Sequence, residues 1–171
     1  MSALGDFLNS TAWKDAALEP ITGDASARKY FRLRKGGRTA VLMDASRTPE
    51  ILPPFVQIAL HLRKLGFSAP EIPARDDANG FLLLEDFGDE TFSRLLENKS
   101  EPEKLFELGT DVLIALHKHP KAVPKDFRSY HSQKMLEDVE LFLECHPVPE
   151  NGKAEFRIAW LEVLPLAHQV P

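Results

Sequence analysis

The chain has 171 residues, 43% hydrophobic and 27% charged, the composition of an ordinary globular protein long enough to bury a real core. A net charge of −5 offers no basic surface to a nucleic acid, and a single cysteine, Cys145, rules out an internal disulfide or a cysteine cluster for a metal. No leader-like segment opens the sequence and no apolar run approaches the roughly 20 residues of a membrane helix, so the expectation is a cytoplasmic protein with neither nucleic-acid nor membrane partners.

Leu4, Phe7 and Leu8 share one side of a short first helix, with Trp13 packing near its end. Leu18 to Thr22 is extended, and Gly23-Asp24-Ala25-Ser26-Ala27 is a small polar turn. Arg28 to Arg34 alternates as a second strand, Lys35-Gly36-Gly37-Arg38 supplies a hairpin turn, and Thr39 to Asp44 returns as a third strand. Pro49 suits the first turn of a helix whose apolar face is Phe55, Ile58, Leu62 and Leu65, with Gly66 as its stop. Pro70 to Arg75 is extended, Asp76 to Gly80 is turn-rich, and the continuous apolar run Phe81-Leu82-Leu83-Leu84 predicts a fifth strand buried on both faces.

Beyond Glu90 the period becomes helical. Leu105, Leu108, Val112 and Leu116 mark one helix ending near Pro120; Met135, Val139 and Phe142 mark another, closed by His146-Pro147. A last helix runs from about Ala154, with Phe156, Ala159 and Val163 on one face. Strands first and helices after give an α+β pattern.

Two segments carry chemistry. In the turn at 23–27, small residues let the backbone approach a ligand, and successive N–H groups with Ser26 and Arg28 offer donors to an anion. Taken alone, such a turn is most often an exposed loop. In the second, a buried strand ends in Glu85-Asp86-Phe87-Gly88-Asp89, where backbone groups between apolar walls suit an adenine edge. Alone, that exit is most often a strand leaving the core and capping the next helix. The P-loop and dinucleotide glycine signatures are both absent. His117 and His119, spaced i, i+2, do not share a helix face, and Glu137, Asp138, Glu140 and Glu144 suit a solvated face.

Together the two segments alter that balance. Gly23-Asp24-Ala25-Ser26-Ala27-Arg28-Lys29-Tyr30-Phe31-Arg32, Val41-Leu42-Met43-Asp44-Ala45 and Phe81 to Asp89 resemble the aminoglycoside phosphotransferase family, within the protein-kinase-like fold. The wording is nearest the bacterial kinases that phosphorylate N-acetylmuramate and N-acetylglucosamine at the anomeric position, and Leu113 to His119 resembles the helix that follows in such proteins. The resemblance implies a nucleotide-binding lobe over residues 1–88, a five-stranded antiparallel sheet with one inserted helix, and a partial helical lobe over 89–171. It places Asp24, Ala25, Ser26, Ala27 and Arg28 over the phosphates of ATP, with Tyr30 and Met43 in the same site. Glu85, Asp86 and Phe87 become the hinge that holds adenine through backbone atoms. The helix carrying Glu50, Phe55 and Leu62 takes the place of one that usually supplies an acidic partner to a third-strand lysine.

Here the third strand has no lysine, a gap that the sugar-kinase branch shares, so Arg28 or Arg32 is expected to neutralise the phosphates. The family's catalytic loop reads His-x-Asp, with an asparagine five positions after the aspartate. None of His61, His117, His119, His131, His146 and His168 is followed two residues later by aspartate. The expectation is therefore a truncated, inactive piece of an ATP- and Mg2+-dependent kinase for a small-molecule sugar of cell-wall recycling, its magnesium ligands lying outside this chain. Self-association through the unfinished helical half is expected as well. The alternatives are a kinase for an aminoglycoside, choline or homoserine, and a non-catalytic nucleotide-binding or interaction module.

Overall fold

A computed structural model describes residues 2–21, 28–98, 101–124, 127 and 131–167. The turn expected at 23–27 lies outside them. Helix α1 (Ala3–Asn9) opens with the Ser2 hydroxyl accepting the Gly5 N–H at 3.1 Å, which satisfies one donor of its first turn. Strands β1 (Ala17–Ile21), β2 (Lys29–Lys35) and β3 (Arg38–Asp44) form an antiparallel meander. Gly36 and Gly37 join β2 to β3 with φ of +56° and +76°, the pair of positive values a two-residue hairpin requires. A single 3-10 turn (Pro49–Ile51) leads into α2 (Leu52–Lys64), and β4 (Ala74–Asp76) and β5 (Phe81–Leu84) complete the sheet in the order β1-β2-β3-β5-β4.

Residues opposite one another across antiparallel strands share a face. Leu33, Leu42, Phe81 and Leu83 therefore point to one side, where they enclose Phe7, Leu8 and Trp13 around α1. The Phe7 and Phe81 rings stack at 5.7 Å. Met43, Leu82 and Leu84 point to the other side and pack on Leu52 and Val56 of α2. Strand β5 is thus buried on both faces, as its uninterrupted apolar run predicts.

Several boundaries differ from the sequence expectation. Strand β4 keeps only three residues of the span from Pro70, because Pro70 and Pro73 have no N–H to give a ladder. The buried stripe of α2 is Leu52, Val56 and Ala59; Phe55, Leu62 and Leu65 of the expected face are half-buried, while Ile58 is exposed. A short helix, α3 (Phe92–Glu97), precedes α4 (Pro102–Lys118), its N-cap Thr91 accepting the Arg94 N–H. Leu105 and Leu116 of α4 are half-buried as expected, but Phe106, Leu108, Val112 and Leu113 are exposed. No described helix is long and apolar enough to cross a membrane.

The chain divides into two compact units, 1–124 and 125–171. The boundary expected at 88/89 falls inside the first of these units. The second unit pairs α5 (Ser132–Cys145) with α6 (Glu150–Ala167) through stacked Phe142 and Phe156, 5.7 Å apart, and an Arg157–Glu140 ion pair.

Gly80 closes the β4–β5 turn against the chain leaving β3. Its carbonyl accepts the Ala45 N–H at 2.8 Å, its φ is +79°, and a Cβ there would lie 2.7 Å from the Ala45 carbonyl oxygen. Gly80→Ala combines backbone strain with a collision against main chain and should cost about 2–3 kcal/mol in urea denaturation. Gly37→Ala, with φ +76° but open space around it, should cost about 1 kcal/mol. Equal losses at the two sites would refute the close approach.

Candidate functional site

Alternation along the strands sets Glu19, Arg32, Val41 and Leu84 side by side on the face that α2 covers only in part. Beyond the edge of α2 this face forms the floor of a cleft of about 750 Å³. Ile21, Val41, Leu84, Phe55 and Pro70 give it apolar walls, and residues 85–89 close one end. Four residues past β5, the chain turns through Gly88, whose φ is +79°.

The carboxylates of this hinge are held by arginines from three elements. Arg32 of β2 binds Asp86 through Nε (2.8 Å to Oδ2) and Nη2 (3.0 Å to Oδ1), a two-pronged pairing. Its Nη1 reaches both oxygens of Asp89, at 3.0 and 2.9 Å. Arg94 of α3 adds a 3.2 Å ion pair to Asp89. Arg63, at the end of α2, lies 3.6 Å from Glu85, 2.6 Å from Glu71 and 2.9 Å from the Ala69 carbonyl.

Side-chain exposure is 12% for Arg32 and 5% for Asp86, so this ion pair is buried; Asp89 is 55% exposed. Burial pushes the Asp86 carboxyl up, but the hydrogen bonds from Arg32, the Gly88 N–H and Thr39 together outweigh it and hold the group below the usual aspartate range. Asp86, then Asp89, push the Arg32 pKa higher still.

The residues singled out from sequence have different environments. Glu85, Asp86 and Phe87 line the cleft, with the Phe87 side chain 62% exposed. Met43 is fully buried among apolar residues under α2, and Tyr30 packs at the margin of that cluster. Arg28 is half-buried just ahead of β2; Asp24, Ala25, Ser26 and Ala27 lie outside the described residues. Arg32, nominated as a phosphate cation, instead directs its donors at Asp86 and Asp89. The sequence does not single out Arg63 or Arg94, nor Asp89 as the shared partner of Arg32 and Arg94. The only signal was an arginine at an alternating position on β2 facing the same side as Leu84.

A model of the phosphotransferase enzyme family matches residues 17–170. The chain belongs to that family. An N-acetylmuramate/N-acetylglucosamine kinase of Pseudomonas aeruginosa is 40% identical over 120 residues, covering 68% of this chain and 35% of the relative. Kinases of the same name from Pseudomonas putida and Caulobacter vibrioides are 34% and 30% identical, covering 87% and 74% of this chain and 44% and 42% of their own length. The chain thus spans less than half the length of these relatives. A second cavity, of about 860 Å³, lies on the opposite side between α1 and the β4–β5 turn and is lined by Asp6, Phe7, Asp76 and Asn79.

The buried pair makes a stability prediction. Arg32→Ala leaves Asp86 buried and uncompensated and should cost about 3 kcal/mol. Arg34→Ala, which breaks an exposed pair with Glu19, should cost less than about 1 kcal/mol. Since the folded-state value of Asp86 is depressed, its contribution is complete above the ordinary aspartate value of about 4 and is lost as pH falls through the folded value. Urea midpoints measured from pH 6 downward should fall in that window, and Asp86→Asn should flatten the fall.

Proposed function

We propose that this chain is the nucleotide-binding portion of an ATP-dependent kinase acting on a small-molecule hydroxyl, with a cell-wall amino sugar as the acceptor. The observation that carries the reading is the cleft at the end of β5, apolar on its faces and lined at one edge by main chain. A purine needs apolar contact on its faces and hydrogen-bonding groups at its edge. At the hinge, the Glu85 N–H is taken by the Glu71 carbonyl at 2.9 Å, and the Gly88 N–H by Asp86 at 3.0 Å. The Glu85 carbonyl and Phe87 amide have no partner among the described residues, and they supply one acceptor and one donor for the amino group and ring nitrogen of adenine.

On this reading residues 1–88 form the nucleotide lobe and residues 89–171 the beginning of a helical one. Asp24 to Ala27 and Arg28 lie over the phosphates, with Tyr30 between them and the base. Met43 fills with apolar volume the position where the wider fold carries a lysine. The names of the relatives support N-acetylmuramate or N-acetylglucosamine as acceptor, and a cytoplasmic setting suits both substrates. Phosphoryl transfer demands positioning and charge neutralisation more than covalent work by the protein. Among the described residues no group of three histidines, cysteines or carboxylates could hold a metal ion, and on this reading the magnesium ligands lie outside this chain. With no His-x-Asp motif in its sequence, this chain binds nucleotide without turning it over.

Calorimetric titration with ATP, alongside a phosphorylation assay with N-acetylmuramate and magnesium, tests both halves of the proposal. Saturable ATP binding without sugar phosphate is the expected result; absence of binding overturns the nucleotide site, and turnover overturns the division of labour. Arg28→Ala should weaken ATP binding about tenfold, the loss of a charge-assisted contact, in titrations run well below the melting temperature of the variant. Unaltered affinity in that variant would remove Arg28 from the phosphate site.

A further inference from the structure

We infer that Arg32 is a positioning residue for the nucleotide base, fixing the shape of the hinge main chain and making no phosphate contact. The inference rests on the nucleotide reading above. A guanidinium has five N–H donors in one plane. In Arg32 the Nε and Nη2 donors meet Asp86 and the Nη1 group meets Asp89, so both ends of the four-residue segment 86–89 close over one planar cation. Gly88, at φ +79°, lets the chain turn back, and its N–H is held by Asp86. Phe87 sits between the two anchors with its ring turned out to solvent, so the placement of its amide follows from the anchors and not from packing of its side chain.

The same geometry removes Arg32 from phosphate duty. Its charge is matched by two carboxylates, and it lies on the strand face beside Val41 and Leu84, at the hinge end of the cleft. Lysine keeps the charge at this position but has no planar fork, so it cannot hold Asp86 by two bonds and Asp89 at once. A hinge amide displaced by a fraction of an ångström misaligns its bond to the base, whatever happens at the phosphates.

The test compares adenosine and ATP as ligands for the wild-type chain and Arg32→Lys, with folding checked by circular dichroism and titrations run well below each melting temperature. Base positioning predicts that both ligands weaken by the same factor, about tenfold. Loss confined to ATP would mean that Arg32 contacts phosphate, and unchanged affinity for both would reduce it to a structural residue; either result overturns the inference. Should Arg32→Lys fail to fold, Asp89→Asn leaves the buried Arg32–Asp86 pair in place and should weaken both ligands equally, by about threefold. A wild-type chain that binds neither ligand sinks the nucleotide reading itself. A wild type that binds both, with variants that bind equally well, sinks only the role of Arg32.

Discussion

A largely shielded guanidinium beside an apolar cleft needs carboxylate partners, and Arg32 takes both of its partners from the segment that leaves β5. That requirement bends residues 86–89 around the cation and explains why the hinge is so acidic. The acids are there for the arginines. Arg63 does the same for Glu85 from the end of α2, and Arg94 shares Asp89 from α3. The hinge is therefore tied to β2, to α2 and to the first helix beyond it.

The cleft exists because α2 covers too little of the sheet. One face of the sheet is sealed by α1 and Trp13. On the other, α2 packs on Met43, Leu82 and Leu84 and on the edge of Val41, while Ile21, Arg32 and the rest of Val41 open into the cleft that α3 borders. An apolar floor half-covered in this way either accepts a ligand or costs stability by remaining wet. Fixing α2 at its C-terminal end through Arg63 keeps the opening at the hinge.

Much of this was legible in the residues. Five strands, the inserted helix and the double burial of β5 follow from alternation, the glycine pair at 36–37 and an unbroken apolar run at 81–84. On α2 the helical period finds Phe55, Leu62 and Leu65, all half-buried, but includes exposed Ile58 and passes over buried Ala59, whose small side chain gives little hydrophobic signal. Strand four was overlong because an extended proline-rich segment looks like a strand until its missing donors are counted. The arginine partners of the hinge were invisible for a different reason: Arg32 and Asp86 are 54 positions apart, and nothing local in either segment names the other.

Charge also orders the cleft from end to end. The hinge end holds Glu85, Asp86, Asp89 and Glu97 against Arg32 and Arg94, so it has no positive charge to spare for a polyphosphate. On the nucleotide reading, the uncharged base belongs there and the phosphates must lie away from it. Along β2 the direction away from the hinge runs from Arg32 past Tyr30 to Lys29, about 10 Å at the rise of a strand. At that end β1 leaves Ile21 for the small polar segment 22–27, and Arg28 precedes the strand. Met43 is buried under α2, and on the proposed nucleotide reading the phosphate-binding charge is expected from the chain between β1 and β2. On that reading the absent lysine and the acidic hinge are parts of one arrangement, with the base beside main chain that Arg32 shapes and the phosphates toward the approach to β2.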